Sequence, residues 1–144
     1  MIVAMFIVNF ILSYIIMSNI MINSTANINN NLNKIYMAIF MASLMGISEL
    51  GLMSDHMMLN SNDKNFYMIM MIGLAVVSAY FIRKQILIND KQFLLSMIEH
   101  HSSALLMAGE ISEKTNDPDI KKLADNIVKS QTDEINLMKN LVNK

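Results

Sequence analysis

Apolar residues are arranged along this chain in two different ways. Up to about residue 88 they come in long runs; beyond it they recur at steps of three and four. The first run, Met1 to Ile22, is interrupted only by Asn9, Ser13, Ser18 and Asn19. The second, Ile35 to Met53, contains one charge, Glu49. The third, Phe66 to Ile82, ends at Arg83-Lys84, a basic pair whose stems can snorkel, so its helix is expected to reach Ile88. Each run approaches the roughly 20 residues that cross about 30 Å of hydrocarbon. The spacers NSTANINNNLNK and SDHMMLNSNDKN suit short turns between antiparallel spans and leave no room for another domain. The pattern predicts a membrane domain over residues 1–88, with spans at about 1–22, 35–53 and 66–88. Ser24-Thr25-Ala26 offers a small-x-small cleavage site, but the run before it lacks a basic amino-terminal region and is long for a signal sequence, so a retained helix is expected.

Residues 89–144 predict two amphipathic helices. Asn89 followed by Gln92 resembles a capping box, and Leu94, Met97, His101, Ala104, Ala108 and Ile111 then mark one stripe. Asn116-Asp117-Pro118 breaks the chain, with Asp117 suited to an N-cap and Pro118 to the first helical position. A second stripe runs through Ile120, Ala124, Ile127, Gln131, Glu134, Met138 and Leu141. So short a turn predicts an antiparallel hairpin with facing stripes. The fold class is therefore all-α: three transmembrane helices followed by an antiparallel two-helix hairpin.

Charge sharpens the division. Residues 1–82 hold five charged side chains, Lys34, Glu49, Asp55, Asp63 and Lys64, and the remaining eighteen follow Ile82. A net charge of -1 and the lack of a basic patch argue against nucleic acid as a partner. The absence of cysteine excludes disulfides, thiolate metal sites and cysteine nucleophiles.

Both stripes turn polar at one level. Reflected about Asp117, His101 faces a position near 133 and so lies beside Gln131 and Glu134, while Met97 falls next to Met138. Buried polar groups must bond to each other, to water or to an ion. One reading makes His101 a core histidine satisfied by Glu134; the other makes it a metal ligand. His100 points about 100° away from His101 and cannot share its role within one hairpin.

The segments DKQFLLSMIEHHSSALLMA and IVKSQTDEINLMKNLV resemble domain-of-unknown-function family 305, through the Met-Ile-x-His-His and Gln-x-x-Glu-Ile-x-x-Met motifs. That resemblance implies a ferritin-like helical fold and, for some members, copper binding outside the cytoplasm. The membrane half is similar to a bacterial subgroup with three spans before a single such hairpin, where the second span also carries a glutamate, matched here by Glu49. One departure is Glu99, where the family usually has proline before the two histidines; it adds an oxygen ligand or a solvated charge.

Thioether and imidazole donors without thiolates suit copper. The candidate ligands are Met97, His100, His101, Met107 and Met138, with Gln131 and Glu134 as outer partners that fix a histidine tautomer. A second cluster lies in the membrane half, where Met37, Met41, Met45, Glu49, Met53 and Met57 recur every four residues and His56 follows. Met45, Glu49, Met53, His56 and Met57 are its candidate ligands; lipid-facing methionine is the plain alternative, although an ionisable group within a span usually faces a partner or a pathway. No nucleophile, phosphate loop or second carboxylate at a matching level accompanies His101, so the chain is expected not to be an enzyme and to use no organic cofactor.

The expected function is membrane-anchored copper binding or handling through the hairpin; the alternative is a membrane-anchored interaction or structural module without metal. One hairpin buries one face of each helix, which predicts a homodimer completing a four-helix bundle, with His100 toward the second chain. The count of basic residues alone places the hairpin in the cytoplasm. The family resemblance and thiol-free ligands, which survive in an oxidising compartment, favour the extracytoplasmic side, and that is the placement expected.

Overall fold

The computed structural model describes residues 1–53 and 60–144, and among these every regular element is helical. Five helices follow in order: α1 (Ile2–Leu12), α2 (Leu32–Met53), α3 (Ser61–Lys84), α4 (Asp90–Lys114) and α5 (Pro118–Val142). The chain divides into two compact units, Met1–Ser18 with Asn33–Leu87 and Asn19–Leu32 with Ile88–Lys144. The stretch after the first apolar run, which reads as a spacer, thus belongs with the carboxyl-terminal helices.

In the first unit, α1 is 11 residues long and continues as a 5-residue π turn, Ser13–Met17. The hydroxyl of Ser18 donates to the carbonyls of Ser13 and Tyr14, both at 2.7 Å, and occupies acceptors there. The sequence pattern predicts a first span of about 1–22; the helical run stops at Met17, shorter than the roughly 20 residues that cross a bilayer of ordinary thickness. Leu32–Leu52 within α2 and the whole of α3 are long and apolar enough to cross a membrane.

Ile2 of α1, Leu50 of α2 and Met71 of α3 form the core of this unit, with Phe6, Ile47 and Leu74 packed against it. Gly46 lets the second and third helices approach: a Cβ there would lie 3.2 Å from the Met71 sulfur. Toward the other end, the rings of Tyr36 and Phe81 meet edge to face at 5.4 Å, and the Tyr36 hydroxyl donates to the Ile86 carbonyl at 3.0 Å. Lys34 is buried with its ammonium 5.4 Å from the centre of the Tyr14 ring, within cation–π range.

The helix of the third apolar run, α3, ends at Lys84 and does not reach Ile88. Gln85 takes a left-handed conformation (φ 50°, ψ 42°) and Leu87 another (φ 60°), which no helix can continue through. The Ile86 amide donates back to the Phe81 carbonyl at 3.1 Å, and the Gln85 side chain covers the Ile82 carbonyl at 2.6 Å, so the freed acceptors are occupied.

In the second unit Asn89 caps α4 by accepting from the Gln92 amide at 2.9 Å. The reciprocal half of a capping box is not made, because Gln92 Oε1 instead accepts from the Leu32 amide at 2.7 Å. Asp117 caps α5, accepting from the amides of Asp119 and Ile120 at 2.8 and 3.2 Å, with Pro118 at the first helical position. Contacts between the helices pair Ser112 with Asp125, and His101 with Glu134, so partners descend on one helix as they rise on the other.

The buried line of α4 differs from the expected stripe. Ile98, Ser102, Ala108 and Ser112 are buried, whereas Ile111, assigned by its spacing to the stripe, is 45% exposed. Ile120 and Leu141 of the second stripe are exposed as well, while Ile135, outside it, is buried. The cause is a second neighbour: α4 packs against α5 on one side and against residues 23–32 on another, so burial centres between the two contacts.

Candidate functional site

Of the polar level expected within the stripes, the contact of His101 with Glu134 is present. His101 Nδ1 lies 2.9 Å from Glu134 Oε2, with the His101 side chain 14% exposed and that of Glu134 49% exposed. Nδ1 is buried and makes no hydrogen bond, so this is a close contact without the alignment a hydrogen bond requires. One turn away, Ile98, Ile135 and Met138 form the core of the unit, and Met97 packs against them. An imidazole nitrogen, a carboxylate oxygen and two thioethers therefore occupy neighbouring layers of one helix pair.

The other candidates lie apart from that group. His100 is exposed, its ring centre 5.9 Å from that of His101 and turned by 61°. Met107 is 53% exposed and lines a groove of about 360 Å³ with Ala104, Ile111, Ile120, Leu123 and Ile127, nearer the turn. Gln131 is half-buried. Among the described residues no three His, Asp or Glu side chains converge as a metal site.

Glu99, expected to be a ligand or a solvated charge, is an anchor. Its carboxylate accepts from the Asn29 amide at 2.7 Å and from the Asn31 side chain at 2.9 Å. Three residues on, the Ser102 hydroxyl accepts from the Asn23 amide at 3.1 Å and from Asn27 Nδ2 at 3.2 Å, and donates to Asn23 Oδ1. With Gln92 on Leu32, these contacts fasten the asparagine-rich segment along one face of α4. The signal was present in the sequence as an asparagine run too polar to pack by itself, but nothing in its spacing names a partner on a helix some 70 residues away.

In the first unit, the Glu49 carboxylate accepts a hydrogen bond from Asn9 Nδ2 at 3.1 Å, and Asn9 is 5% exposed. The pairing joins the one acidic side chain of the second apolar run to a polar interruption of the first. Met45 is half-buried on the same helix as Glu49. His56 and Met57, with the side chain of Met53, lie outside the described residues.

The match to a family model falls mainly on the second unit. Residues 83–142 match the model of the family described as Domain of unknown function (DUF305). The match supports that family and contains α4, α5 and the His101–Glu134 contact. The chain is also 40% identical over 93 residues to an uncharacterized protein, L153, of Acanthamoeba polyphaga mimivirus, an alignment covering 65% of this chain. The chain spans 59% of the length of that relative. No solved structure matches the chain. The two basic residues that close α3, Arg83 and Lys84, open the DUF305 match.

Proposed function

We infer that the chain is a membrane-anchored metal-binding protein whose ferritin-like antiparallel hairpin takes copper, and that it is not an enzyme. The observation that carries this reading is the buried Nδ1 of His101, which has no hydrogen bond and stands 2.9 Å from a carboxylate oxygen. A carboxylate beside that nitrogen is placed to hold the ring, which leaves the other imidazole nitrogen for a metal. Met97 and Met138 in the adjoining layer add the thioethers that make the set suit copper. Copper bound there would be held by His101 with Met97 and Met138, and Glu134 would orient the imidazole; His100, Met107 and Gln131 take outlying roles.

The anchor consists of three spans, α2, α3 and the shorter α1, the last accommodated by local thinning of the bilayer. Phe66, Ile69, Val76 and Tyr80 of α3 are more than half exposed, a face suited to lipid. The hairpin stands on the extracytoplasmic side and pairs with a second copy to close a four-helix bundle.

The full chain in detergent micelles, titrated with Cu(I) against a chelator, tests the reading. His101→Ala should remove most binding at the hairpin, followed at the methyls of Met97 and Met138, and Glu134→Gln should weaken it by about 10–100-fold. Affinity unchanged in His101→Ala and Met97→Leu would overturn it and favour a second reading, a membrane-anchored interaction module without metal. The half-exposed side chains of Met107, Ile111, Ile120 and Leu123 along the apolar groove support that second reading.

A further inference from the structure

A polar pair stands among the apolar residues of the first unit, and the groove beside it has a chemistry of its own. Met1, Met5 and Asn9 follow one another at four-residue steps, which places them along one face of α1. Asn9 Nδ2 donates to Glu49 Oε1 of α2. That bond uses one oxygen of the carboxylate and leaves the other lone pairs available. A groove of about 300 Å³ opens at this point, lined by Met1, Met5, Asn9 and Glu49, with Ala4 and Val8 completing its wall.

We propose that Met1, Met5 and Glu49 form a binding site for a soft univalent cation, Cu(I) or Ag(I), in the unit built by α1, α2 and α3. The donor set selects the class of ion. Two thioethers favour a soft metal over Na⁺, K⁺ or Mg²⁺, whose preferred partners are oxygens. A carboxylate within an apolar unit is costly when ionised, and one positive charge cancels it, whereas a divalent ion would leave an excess charge in the same apolar surroundings. Asn9 is a positioning residue: its amide fixes the orientation of the Glu49 carboxylate and cannot itself supply charge. This site shares no residue with the hairpin; it has Glu49 in common with the methionine ladder along α2 but takes its sulfur donors from α1.

The test uses the full chain in detergent micelles, labelled with ¹³C at the methionine methyls and titrated with silver nitrate. The Met5 methyl resonance, identified by its loss in Met5→Leu, should shift with Ag(I) and stay in place with the same concentration of sodium nitrate. Glu49→Gln keeps an acceptor for Asn9 while removing the charge, and should weaken the Ag(I) response at Met5 by about tenfold or more, at least the loss seen for partners outside the ligand set. Met5→Leu, close to volume-conserving on an open groove, should cause a like loss as followed at Met1, and serves if Glu49→Gln does not fold. Binding at the hairpin reports separately through the methyls of Met97 and Met138. A Met5 resonance indifferent to Ag(I) in the folded protein, or Glu49→Gln binding as tightly as the parent chain, would overturn the proposal and leave Asn9–Glu49 as a packing contact.

Discussion

His101 and Glu134 are unequal partners, and the inequality is measurable. Glu134 is half exposed, so water can replace the imidazole if His101 is removed; His101 Nδ1 is buried, and nothing replaces the carboxylate if Glu134 is removed. His101→Leu should therefore shift stability by less than about 1 kcal/mol, whereas Glu134→Leu should cost more, because the buried imidazole nitrogen loses the polar group beside it. Thermal melts followed by circular dichroism, in the absence of metal, check the order. The pairing itself was legible in the sequence, because reflecting the chain about Asp117 requires only the rise of two helices and a short turn. The exposure of Glu134 was not, since it depends on how far α5 rotates about its own axis, and the stripe of α5 is wide enough to admit several rotations.

At the level of the helices, ends are better determined than faces. Asp117 and Pro118 sit where capping chemistry puts them, and Asp117→Ala should destabilise the second unit by about 1 kcal/mol, read from the denaturation midpoint. Near the end of α4, Glu110 and Lys114 pair at 2.6 Å, i to i+4, and both are exposed. The lysine ammonium, by hydrogen bond and by charge, holds the Glu110 carboxyl below its ordinary value, and Glu110 raises Lys114 in turn. A lowered acid contributes above its unfolded pKa and loses that contribution as pH falls through the folded one; a raised base contributes below its unfolded pKa and loses it as pH rises through the folded one. The small stabilisation therefore spans the range between ordinary carboxyl and ammonium values. The difference in melting temperature between the parent and Glu110→Gln should vanish in acid and in strong alkali. The end of α3 at Gln85 was not legible, because a left-handed glutamine carries no signal of the kind a glycine gives. The buried line of α4 was misplaced because periodicity assumes one neighbour and α4 has two.

For the whole molecule, the decisive fact is that residues 19–32 belong with the carboxyl-terminal helices. The DUF305 match begins at residue 83, so a fragment cut to that match omits the partners of Gln92, Glu99 and Ser102. Residues 83–144 expressed alone should melt below the same unit in the full chain, and a synthetic peptide of residues 19–32 should restore part of the loss. Equal melting temperatures with and without the peptide would show that these hydrogen bonds add nothing net to stability.

That same segment sets the order in which the second unit can assemble. The pairing of α4 with α5 joins neighbours across a short turn, whereas Asn23 meets Ser102 across 79 positions, and closing so long a loop is slow relative to the local step. The helix pair should form first and the asparagine segment dock last, outside the transition state. Glu99→Ala should then leave the refolding rate nearly unchanged and accelerate unfolding, the signature of a contact made after the barrier. The segment would thus act as a brake on opening, one that a ribosome cannot set until the last two helices have emerged.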